Sequence, residues 1–511
     1  MSGPLGLPLP LLTDSYKASH FAIYPPAKQA TAYGEFRSGF KHDTKDTRIV
    51  FYGLRYVLET YISKQWTHKD VKMAEAFFAT HNAGFTPYPF PKALFDKFVG
   101  ENGGYFPVTI EALAEGSVVY PHVPVYQITA KEPYTPLITY LETVLLMTWY
   151  PTTVATLSRR TRTTIERAYE TSVDSKAMWT LDSRMHDFGF RACTCVEQSV
   201  LGGTAHLLNY QGSDTLSAAF YAQYQLNNGD PVATSIPATE HSVMMSHASD
   251  REAVLGTIAA YGDGVYACVM DSFDYARALA EVLPAVKQQK LDRGGFLVIR
   301  PDSGDQVEAV LLGLRAADKV FGSMCNSKGY KVISGASVIQ GDGVTPESLE
   351  RILAAVLDAG FSAQCIGFGM GGGLLQKVNR DTLSAAVKIS QIIGVDGIKR
   401  DIMKFPKEEA EKTSLPGRFA VHADPAQNGA PVVYPADNAP TDSPNLLQVV
   451  YDCGPVPGLQ WLCFNDLRTR IRQQWDKLPV TAQAVSPQLL EHQQKVLKRQ
   501  REKVNQGTVF Q

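Results

Sequence analysis

Between residues 264 and 377 the chain repeats one pattern: a short apolar run ends at a glycine or a charged residue, and a helical pattern follows. The runs cover 264–270, 295–299, 336–340 and 362–368. Apolar runs that alternate with helices at intervals of about 25–40 residues are typical of parallel βαβ units, whose strands are buried on both faces. The pattern therefore predicts an α/β fold, either a closed (β/α) barrel or an open doubly wound sheet.

Three aspartates follow these apolar runs: Asp271, Asp302 and Asp342. Because parallel strands present their carboxyl ends at one edge of a sheet, the three side chains are expected to lie around one pocket. Carboxylates in such a pocket can hold Mg²⁺, bind ribose hydroxyls or stabilise a developing cation. The alternative is that Asp271 and Asp302 cap the following helices. Three aspartates in equivalent places favour a ligand site.

Two glycine-rich loops follow the last two runs, at 341–343 and 369–373. Backbone N–H groups of such loops can bind a phosphate, and paired phosphate loops after late strands recur in (β/α) barrels. Neither loop is followed by the Lys-Ser/Thr of a nucleotide-binding P-loop. Arg300, at the end of its run, is either an anion ligand or half of a structural ion pair. His241 lies beside Glu240, a spacing that by itself does not distinguish a catalytic from a structural histidine.

Charge and cysteine content exclude several classes of protein. Lys and Arg total 49 against 51 Asp and Glu, giving a net charge of −2, so nucleic acid is not expected as the main partner. Seven cysteines are few for 511 residues, which indicates reduced thiols, mostly in the core, of a cytoplasmic protein. The longest apolar stretch, 136–157, contains Glu142 and Pro151 and is expected to be a core helix rather than a membrane span.

A series of motifs runs in order from about residue 11 to about residue 420. The motifs are Thr13–Lys17, Phe51–Leu54, Trp149–Thr156, His186–Arg191, Gly212–Thr215, Glu240–Ser242, Ile299–Gly304, Val338–Gly343 and Gly371–Lys377 with Arg380. Together they resemble the nicotinamide phosphoribosyltransferases, which are type II phosphoribosyltransferases. The resemblance implies an irregular (β/α) barrel-like central domain over 151–395. It also implies an α+β domain formed by residues 1–150 and by the C-terminal segment 396–511, which packs back on them.

The resemblance implies a pentosyltransferase of NAD salvage. Such an enzyme transfers phosphoribosyl from 5-phosphoribosyl-1-pyrophosphate to nicotinamide, giving nicotinamide mononucleotide and pyrophosphate. Mg²⁺ and ATP are the implied cofactors, and a homodimer with sites at the subunit interface is the implied assembly. Neither nucleic acid nor a membrane is an expected partner. Two alternatives stay open: a nicotinate phosphoribosyltransferase of the same fold, and a non-catalytic protein that binds pyridine nucleotides.

The resemblance also assigns roles to individual residues. Phe188 and the partner subunit's Tyr16 would sandwich the pyridine ring, and Asp214 would accept from the carboxamide. His241 would be phosphorylated by ATP with Asp271 orienting it, while Asp302 would bind ribose and Mg²⁺. The phosphate, ribose and pyrophosphate contacts would come from Arg37, Arg191, Arg300, Gly341, Asp342, Gly372, Gly373, Arg380, Lys388, Lys404 and Lys412.

Three residues depart from the family pattern. Ala267 stands where many members have a serine near the carboxamide, Phe190 replaces a tyrosine, and Met370 replaces a serine in the glycine loop. The alanine is expected to remove one hydrogen bond or water bridge to the pyridine substrate.

Overall fold

The computed structural model describes residues 3–406 and 412–505. Its residues form two units. One contains the chain up to Thr156 together with 379–462 and the part from Thr469 onward, and the other contains 157–378 and 463–468.

In the described residues, the strands near both ends of the chain are antiparallel, and most strands in its middle are parallel. In chain order they are β1 (Ala27–Phe36), β2 (Ile49–Val50), β3 (Val108–Ala112), β4 (Val118–Val119), β5 (Pro124–Lys131), β6 (Met185–Asp187), β7 (Val265–Val269), β8 (Phe296–Arg300), β9 (Ser323–Cys325), β10 (Lys331–Ile333), β11 (Ala336–Gln340), β12 (Ile366–Met370), β13 (Ala385–Gly394), β14 (Lys399–Asp401), β15 (Phe419–Asp424), β16 (Ala430–Pro435) and β17 (Gln448–Asp452).

The α-helices connect these strands, together with short 3₁₀ and π turns. They are α1 (Ser15–Ser19), α2 (Leu54–Val57), α3 (His68–Phe78), α4 (Lys92–Glu101), α5 (Glu142–Leu146), α6 (Trp149–Ser172), α7 (Val196–Leu207), α8 (Leu216–Leu226), α9 (His241–Met245), α10 (Asp250–Tyr261), α11 (Tyr275–Arg277), α12 (Leu283–Ala285), α13 (Lys287–Arg293), α14 (Gln306–Phe321), α15 (Pro346–Asp358), α16 (Gly372–Leu375), α17 (Phe464–Lys477) and α18 (Pro487–Asn505).

The unit built on 157–378 contains a parallel sheet with the strand order β6-β12-β11-β8-β7. Isolated parallel bridges continue the ring from β6 back to β7 through two short segments. The bridged pairs are Asp187 with Ser213, Gly212 with Thr234, and Ala238 with Ala267. The strands therefore close into an irregular barrel, which resolves the choice between a barrel and an open sheet. Apolar side chains of three strands, Ala267, Val298 and Ile339, form its interior cluster, and Phe188 packs against them.

The helices that follow β7 and β8 are not capped by the aspartates next to the strands. Asp274 accepts from Arg277 N at the start of α11, and Asp305 accepts from the backbone N–H groups of Val307 and Glu308 at the start of α14. The capping alternative for Asp271 and Asp302 is therefore wrong, and both carboxylates are available for another role.

The other unit contains an antiparallel sheet with the order β14-β13-β1-β5-β3-β17, so both ends of the chain contribute to it. The predicted fold class, a barrel-like α/β domain with an α+β domain made from both chain ends, is confirmed. The observed limit between the units is Val378, whereas the sequence places the end of the barrel domain at 395. The reason is β13, which pairs antiparallel with β1 over nine residue pairs from Ala27–Gly394 to Phe36–Ala385 and belongs to the antiparallel sheet.

The apolar stretch 136–157 differs from the single core helix expected from the sequence. It contains α5 and the first turns of α6, and Pro151 lies at the beginning of α6, where its missing N–H leaves no intrahelical bond unmade. Within the described residues, no helix is long and apolar enough to cross a membrane.

The cysteines are free thiols, but the expectation that most lie in the core is wrong. Cys268 and Cys365 are buried, in β7 and just before β12, whereas the other five are partly or fully exposed in turns, short strands and loops. Apolar neighbours in the sequence did not distinguish a buried strand from an exposed turn.

Candidate active site

A cavity of about 320 Å³ lies beside the carboxyl ends of the barrel strands. Six of the residues predicted for the site line it: Phe188, Arg191, Asp214, His241, Arg300 and Asp302. Phe190, Thr215, Glu240 and Ser242 complete the lining. The last three were not predicted as site residues, although each is a direct sequence neighbour of one that was. Aromatic, cationic and carboxylate groups thus face one space of a size suited to a small ligand.

Phe188 occupies a position that two glycines make possible. Its N–H donates to the Met370 carbonyl over 3.1 Å, which places it across the end of β12. A Cβ on Gly369 would lie 1.9 Å from the Phe188 ring, and one on Gly341 would lie 3.1 Å from it. The Arg300 guanidinium lies 5.5 Å from the ring centroid on one side. The ring therefore rests against strand backbone that tolerates no side chain at Gly369.

Replacing Gly369 with alanine is expected to lower the thermal unfolding midpoint, because the new methyl group overlaps the Phe188 ring. Overpacking of this kind costs about 1–3 kcal/mol. Gly367→Ala on the same strand is the matched control, since its Cβ would meet its nearest neighbour, on Ile339, at an ordinary 3.7 Å. The two variants are compared by thermal unfolding, and equal midpoints would show that the ring is not held as described.

Asp214 lies on the short segment that closes the barrel. Its backbone N–H donates to the Asp187 carbonyl over 3.0 Å, and Ser235 Oγ donates to Asp214 Oδ1 over 2.6 Å. The His186 ring nitrogen Nδ1 lies 3.8 Å from the same oxygen. The carboxylate is 44% exposed and faces the cavity as an acceptor of fixed orientation.

Asp187, directly before Phe188, was not predicted as a site residue, and its side chain is fully buried. Its Oδ1 accepts from Gly189 N over 2.7 Å, and the Thr215 side chain also lies beside the carboxyl group. Burial, reinforced by the nearby Asp214 carboxylate, raises the pKa of Asp187 to about 6, although the bonds it accepts act in the opposite direction. The acidic residue in the middle of the His-Asp-Phe motif is the signal that points to it.

The stability of the protein is expected to depend on Asp187 between about pH 4 and pH 6. A carboxyl whose pKa is raised by folding is protonated more readily in the folded state, so stability is lost as the pH rises through this window. Asp187→Asn removes this dependence. The difference in the free energy of unfolding between the variant and the wild type, measured by denaturant titration, should grow in favour of the variant from pH 4 to pH 6, by up to about 3 kcal/mol, and stay constant above. Parallel pH profiles would contradict the raised pKa.

His241 lies between two carboxylates. Its Nε2 is 3.1 Å from Asp271 Oδ1, and its Nδ1 is 3.9 Å from Asp302 Oδ2. Asp271 is almost fully buried, and its Oδ2 accepts from Asp302 N over 2.8 Å and from Ser303 Oγ over 2.5 Å. Burial alone would raise the pKa of Asp271, but the bonds from Ser303, the Asp302 backbone and His241 outweigh it and lower the pKa. An ionised Asp271 favours the tautomer in which Nε2–H donates to it, and that tautomer leaves the Nδ1 lone pair as an acceptor.

Arg300 pairs with Asp302 through Nη2 and Oδ1 at 2.8 Å, which satisfies the structural-pair alternative. Its Nε is nevertheless buried and has no hydrogen-bond partner within 3–406 and 412–505. Such an unpaired donor costs free energy unless a ligand accepts from it. Arg300 can therefore bind an anion through Nε while its Nη2 keeps the ion pair with Asp302.

The two glycine-rich loops directly follow strands of the barrel, but their residues do not line this cavity. Gly341 and Asp342 directly follow β11, and Gly372 and Gly373 open the four-residue α16 after β12. The Asp342 side chain is exposed, while its carbonyl accepts from Gln306 Nε2 over 2.6 Å.

The remaining predicted residues belong to the other unit: Tyr16, Arg37, Arg380, Lys388, Lys404 and Lys412. Tyr16 is 53% exposed, and Arg380, Lys404 and Lys412 are also exposed. Arg37 donates Nε to Glu35 over 2.7 Å, but its buried Nη2 has no partner in the described residues. Burial, with the charges of Arg37 and Lys404, lowers the pKa of Lys388. Arg37 and Lys404 therefore lie close enough to Lys388 for their charges to interact with it.

The three departures from the family pattern occupy defined places. Ala267 is buried in the barrel cluster against which Phe188 packs, so a serine there would have faced the ring. Met370 is fully buried and accepts the Phe188 N–H through its carbonyl, and Phe190 lines the cavity.

No group of three or more histidine, cysteine, aspartate or glutamate side chains in the described residues is arranged to hold a metal ion. A Mg²⁺ site made only of protein ligands is therefore not formed there. A single carboxylate such as Asp302 is still suited to Mg²⁺ whose other ligands are phosphate oxygens and water, the usual arrangement for this ion.

Two family models match the chain. The nicotinate phosphoribosyltransferase (NAPRTase) family model covers residues 183–449, and the model of the nicotinamide phosphoribosyltransferase N-terminal domain covers residues 8–110. Among solved structures, human nicotinic acid phosphoribosyltransferase is similar with a TM-score of 0.63 at 17% identity, over 95% of this chain and 100% of that one. Nicotinate-nucleotide pyrophosphorylase from Pyrococcus furiosus is similar with a TM-score of 0.59 at 15% identity, over 92% and 96%. These two likenesses concern the fold alone.

Curated relatives are closer in sequence. The nicotinamide phosphoribosyltransferase of Xanthomonas campestris pv. campestris is 40% identical over 428 residues, which are 81% of this chain and 88% of the relative. The nicotinamide phosphoribosyltransferase of Acinetobacter baylyi is 29% identical over 510 residues, 90% of this chain and 95% of the relative. With the barrel, the cavity and the motifs in place, this chain belongs to the nicotinamide phosphoribosyltransferase family of pentosyltransferases.

Proposed function

We propose that the protein transfers the phosphoribosyl group of 5-phosphoribosyl-1-pyrophosphate to nicotinamide, releasing nicotinamide mononucleotide and pyrophosphate in NAD salvage. The observation that carries the proposal is that Phe188 and Asp214 face the same cavity as Arg300. An aromatic face stacks on a planar pyridine ring, and a carboxylate accepts from the carboxamide NH₂. The names of the curated relatives support the same reaction.

Asp214 supports nicotinamide over nicotinate as the substrate. Its carboxylate can accept from an amide but repels a carboxylate, and like charges held together in an interface cost several kcal/mol. The family model named for nicotinate keeps the nicotinate enzyme as the alternative. Substrate preference is therefore the property on which the two assignments differ.

The cations around Lys388 support binding of the phosphate and pyrophosphate groups. Arg37 offers a buried Nη2 without a partner among the described residues. Burial lowers the pKa of Lys388, and the charges of Arg37 and Lys404 act in the same direction, so an anion bound there would favour the charged lysine. These residues and the exposed Tyr16 lie in the other unit. We infer that the protein acts in the cytoplasm as a homodimer, in which each subunit completes its partner's site with these residues. In that assembly Tyr16 stacks on the second face of the ring.

Charge develops at both ends of the breaking ribose–pyrophosphate bond. Asp302 and Asp342 would stabilise the positive ribosyl group, and Arg300 with the lysine cluster would bind the departing pyrophosphate. Mg²⁺, held by Asp302 and the phosphate oxygens, would supply further neutralisation of the leaving group. The backbone of Gly341, Gly372 and Gly373 would hold the 5′-phosphate and ribose.

His241 is the residue that we assign to ATP. Its Nδ1 lone pair would accept the γ-phosphoryl group of ATP, with the bond to the β,γ-bridging oxygen breaking and ADP as the leaving group. Asp271 keeps the ring in this orientation by accepting Nε2–H over 3.1 Å. The phosphohistidine adds negative charge beside Asp302, where it would favour Mg²⁺ and cationic contacts to the substrate.

The reaction is tested by incubating the purified protein with nicotinamide, 5-phosphoribosyl-1-pyrophosphate and Mg²⁺, and by following nicotinamide mononucleotide and pyrophosphate by mass spectrometry. We expect equal amounts of the two products. Binding of nicotinamide mononucleotide without any turnover, with or without ATP, would instead support the non-catalytic alternative.

A further inference from the structure

The turn that carries Phe188 is fixed through one residue, Gly189. The Gly189 N–H donates to Asp187 Oδ1 over 2.7 Å, and the Gly189 carbonyl accepts from Gln376 Nε2 over 3.2 Å. Cys193 Sγ also donates to this carbonyl over 3.4 Å. The orientation of the Phe188–Gly189 backbone, and with it the ring, therefore depends on side chains from two parts of the barrel.

Gln376 directly follows the glycine loop. Its N–H donates to the Gly372 carbonyl over 3.0 Å, so its backbone closes α16. Its side chain folds back over the same loop, with Oε1 3.6 Å from the position of a Cβ on Gly372. Its Nε2 reaches across to the turn and contacts Cys193 Sγ as well, at 3.2 Å. One residue thus contacts both the loop assigned to phosphate, through its backbone N–H, and the turn assigned to the pyridine ring, through its side-chain amide.

The packing between loop and turn leaves little room for independent movement. A Cβ on Gly189 would lie 2.6 Å from Leu375 Cδ1, and a Cβ on Gly371 would lie 3.3 Å from the Phe188 carbonyl oxygen. Close-packed interiors transmit small displacements rather than absorbing them. A shift of the glycine loop on phosphate binding would therefore be transmitted to Phe188, and the Gln376 amide is the polar link between them.

We propose that Gln376 is a positioning residue that couples phosphate binding at the glycine loop to pyridine binding at Phe188. The proposal rests on the proposed function, since it takes the loop and the ring as substrate contacts. It adds that the phosphoribosyl donor raises the affinity for nicotinamide through the protein, besides any direct contact between the two substrates. Such coupling is reciprocal, so nicotinamide raises the affinity for the phosphate ligand by the same factor.

The test measures the nicotinamide Kd by calorimetry with and without saturating ribose 5-phosphate, which carries the phosphate but cannot react. We expect the wild-type Kd to fall about five- to tenfold when ribose 5-phosphate is present. In Gln376→Met, which keeps the volume and loses the donor, the ratio should fall below about twofold. Gln376→Glu replaces the NH₂ with an oxygen that cannot donate to the Gly189 carbonyl, and should lose the coupling as well.

Gln198→Met is the matched control. Gln198 also donates to the α16 backbone, at the Leu375 carbonyl over 3.2 Å, while its Oε1 accepts from Thr194 N over 2.7 Å and not from the phosphate loop. This variant should keep the wild-type ratio, and thermal unfolding shows whether each variant is folded. Retained coupling in both Gln376 variants, or a wild type that binds nicotinamide with no response to ribose 5-phosphate, would overturn the proposal. A wild type that does not bind nicotinamide at all would instead overturn the proposed function itself.

Discussion

Replacing Asp214 with serine is expected to raise kcat/KM for nicotinate by about 10- to 100-fold and to lower that for nicotinamide by about tenfold. The gain comes from removing a like charge from the carboxyl-binding end of the cavity, where repulsion amounts to several kcal/mol when both charges are buried. Because the Asp214 carboxylate is 44% exposed, solvent screening reduces this figure, and the lower part of the range follows. The loss comes from the missing charge-assisted bond to the carboxamide.

Steady-state kinetics with both pyridine substrates measures this change. Asp230→Ser is the matched control, because it removes the same charge from an exposed position that does not line the cavity. Asp214→Asn, which keeps an acceptor for Ser235, separates the charge from the local hydrogen bond. A serine variant that gains no nicotinate turnover would place substrate selection in other residues.

Replacing His241 with alanine is expected to abolish the stimulation of the reaction by ATP. With a coupling free energy in the usual range for linked sites, the wild-type rate at low substrate should rise about tenfold or more when ATP is added. In the variant the ratio of the rates with and without ATP should be close to one, while nicotinamide still binds. Acid-labile incorporation of label from γ-labelled ATP should disappear at the same time.

His247→Ala is the control for this substitution. His247 is exposed, follows the end of α9 in the chain and does not line the cavity. It should keep both the label and the stimulation. A His241→Ala variant that still responds to ATP like the wild type would remove this histidine from the mechanism.

Four of the five strands of the parallel sheet, β7, β8, β11 and β12, were predictable because each one appears in the sequence as an apolar run, whereas β6 (Met185–Asp187) does not. The helix starts near 306 and 346 were predictable for a different reason, since Asp305 and Thr345 cap them and Pro346 occupies the first turn. The pattern of apolar residues did not show that β13 belongs to the antiparallel sheet. A strand that directly follows the barrel in the sequence carries no local signal that assigns it to one sheet or the other. The pairing of β13 with β1, more than 350 residues away, is a tertiary property.

Some residues of the cavity and its surroundings were also predictable from the sequence, and others were not. Phe188, Asp214 and His241 were accessible through the resemblance, and the structure brings all three to one cavity. The motif points to Asp187 as a residue, but its raised pKa was not accessible from sequence, because the shift depends on complete burial and on the position of Asp214. Gln376 was also missed, since its importance lies in the distance of its amide from Gly189 and not in its residue type. Both features depend on distances between separate segments of the chain, and the sequence does not give these distances.

The most direct test of the assignment is the ratio of kcat/KM for nicotinamide to that for nicotinate, measured on the purified wild-type protein with 5-phosphoribosyl-1-pyrophosphate and Mg²⁺, with and without ATP. Asp214 in the cavity predicts a ratio well above ten under both conditions and a higher absolute rate with ATP. Turnover of nicotinate but not of nicotinamide would contradict the assignment of the substrate and the role given to Asp214.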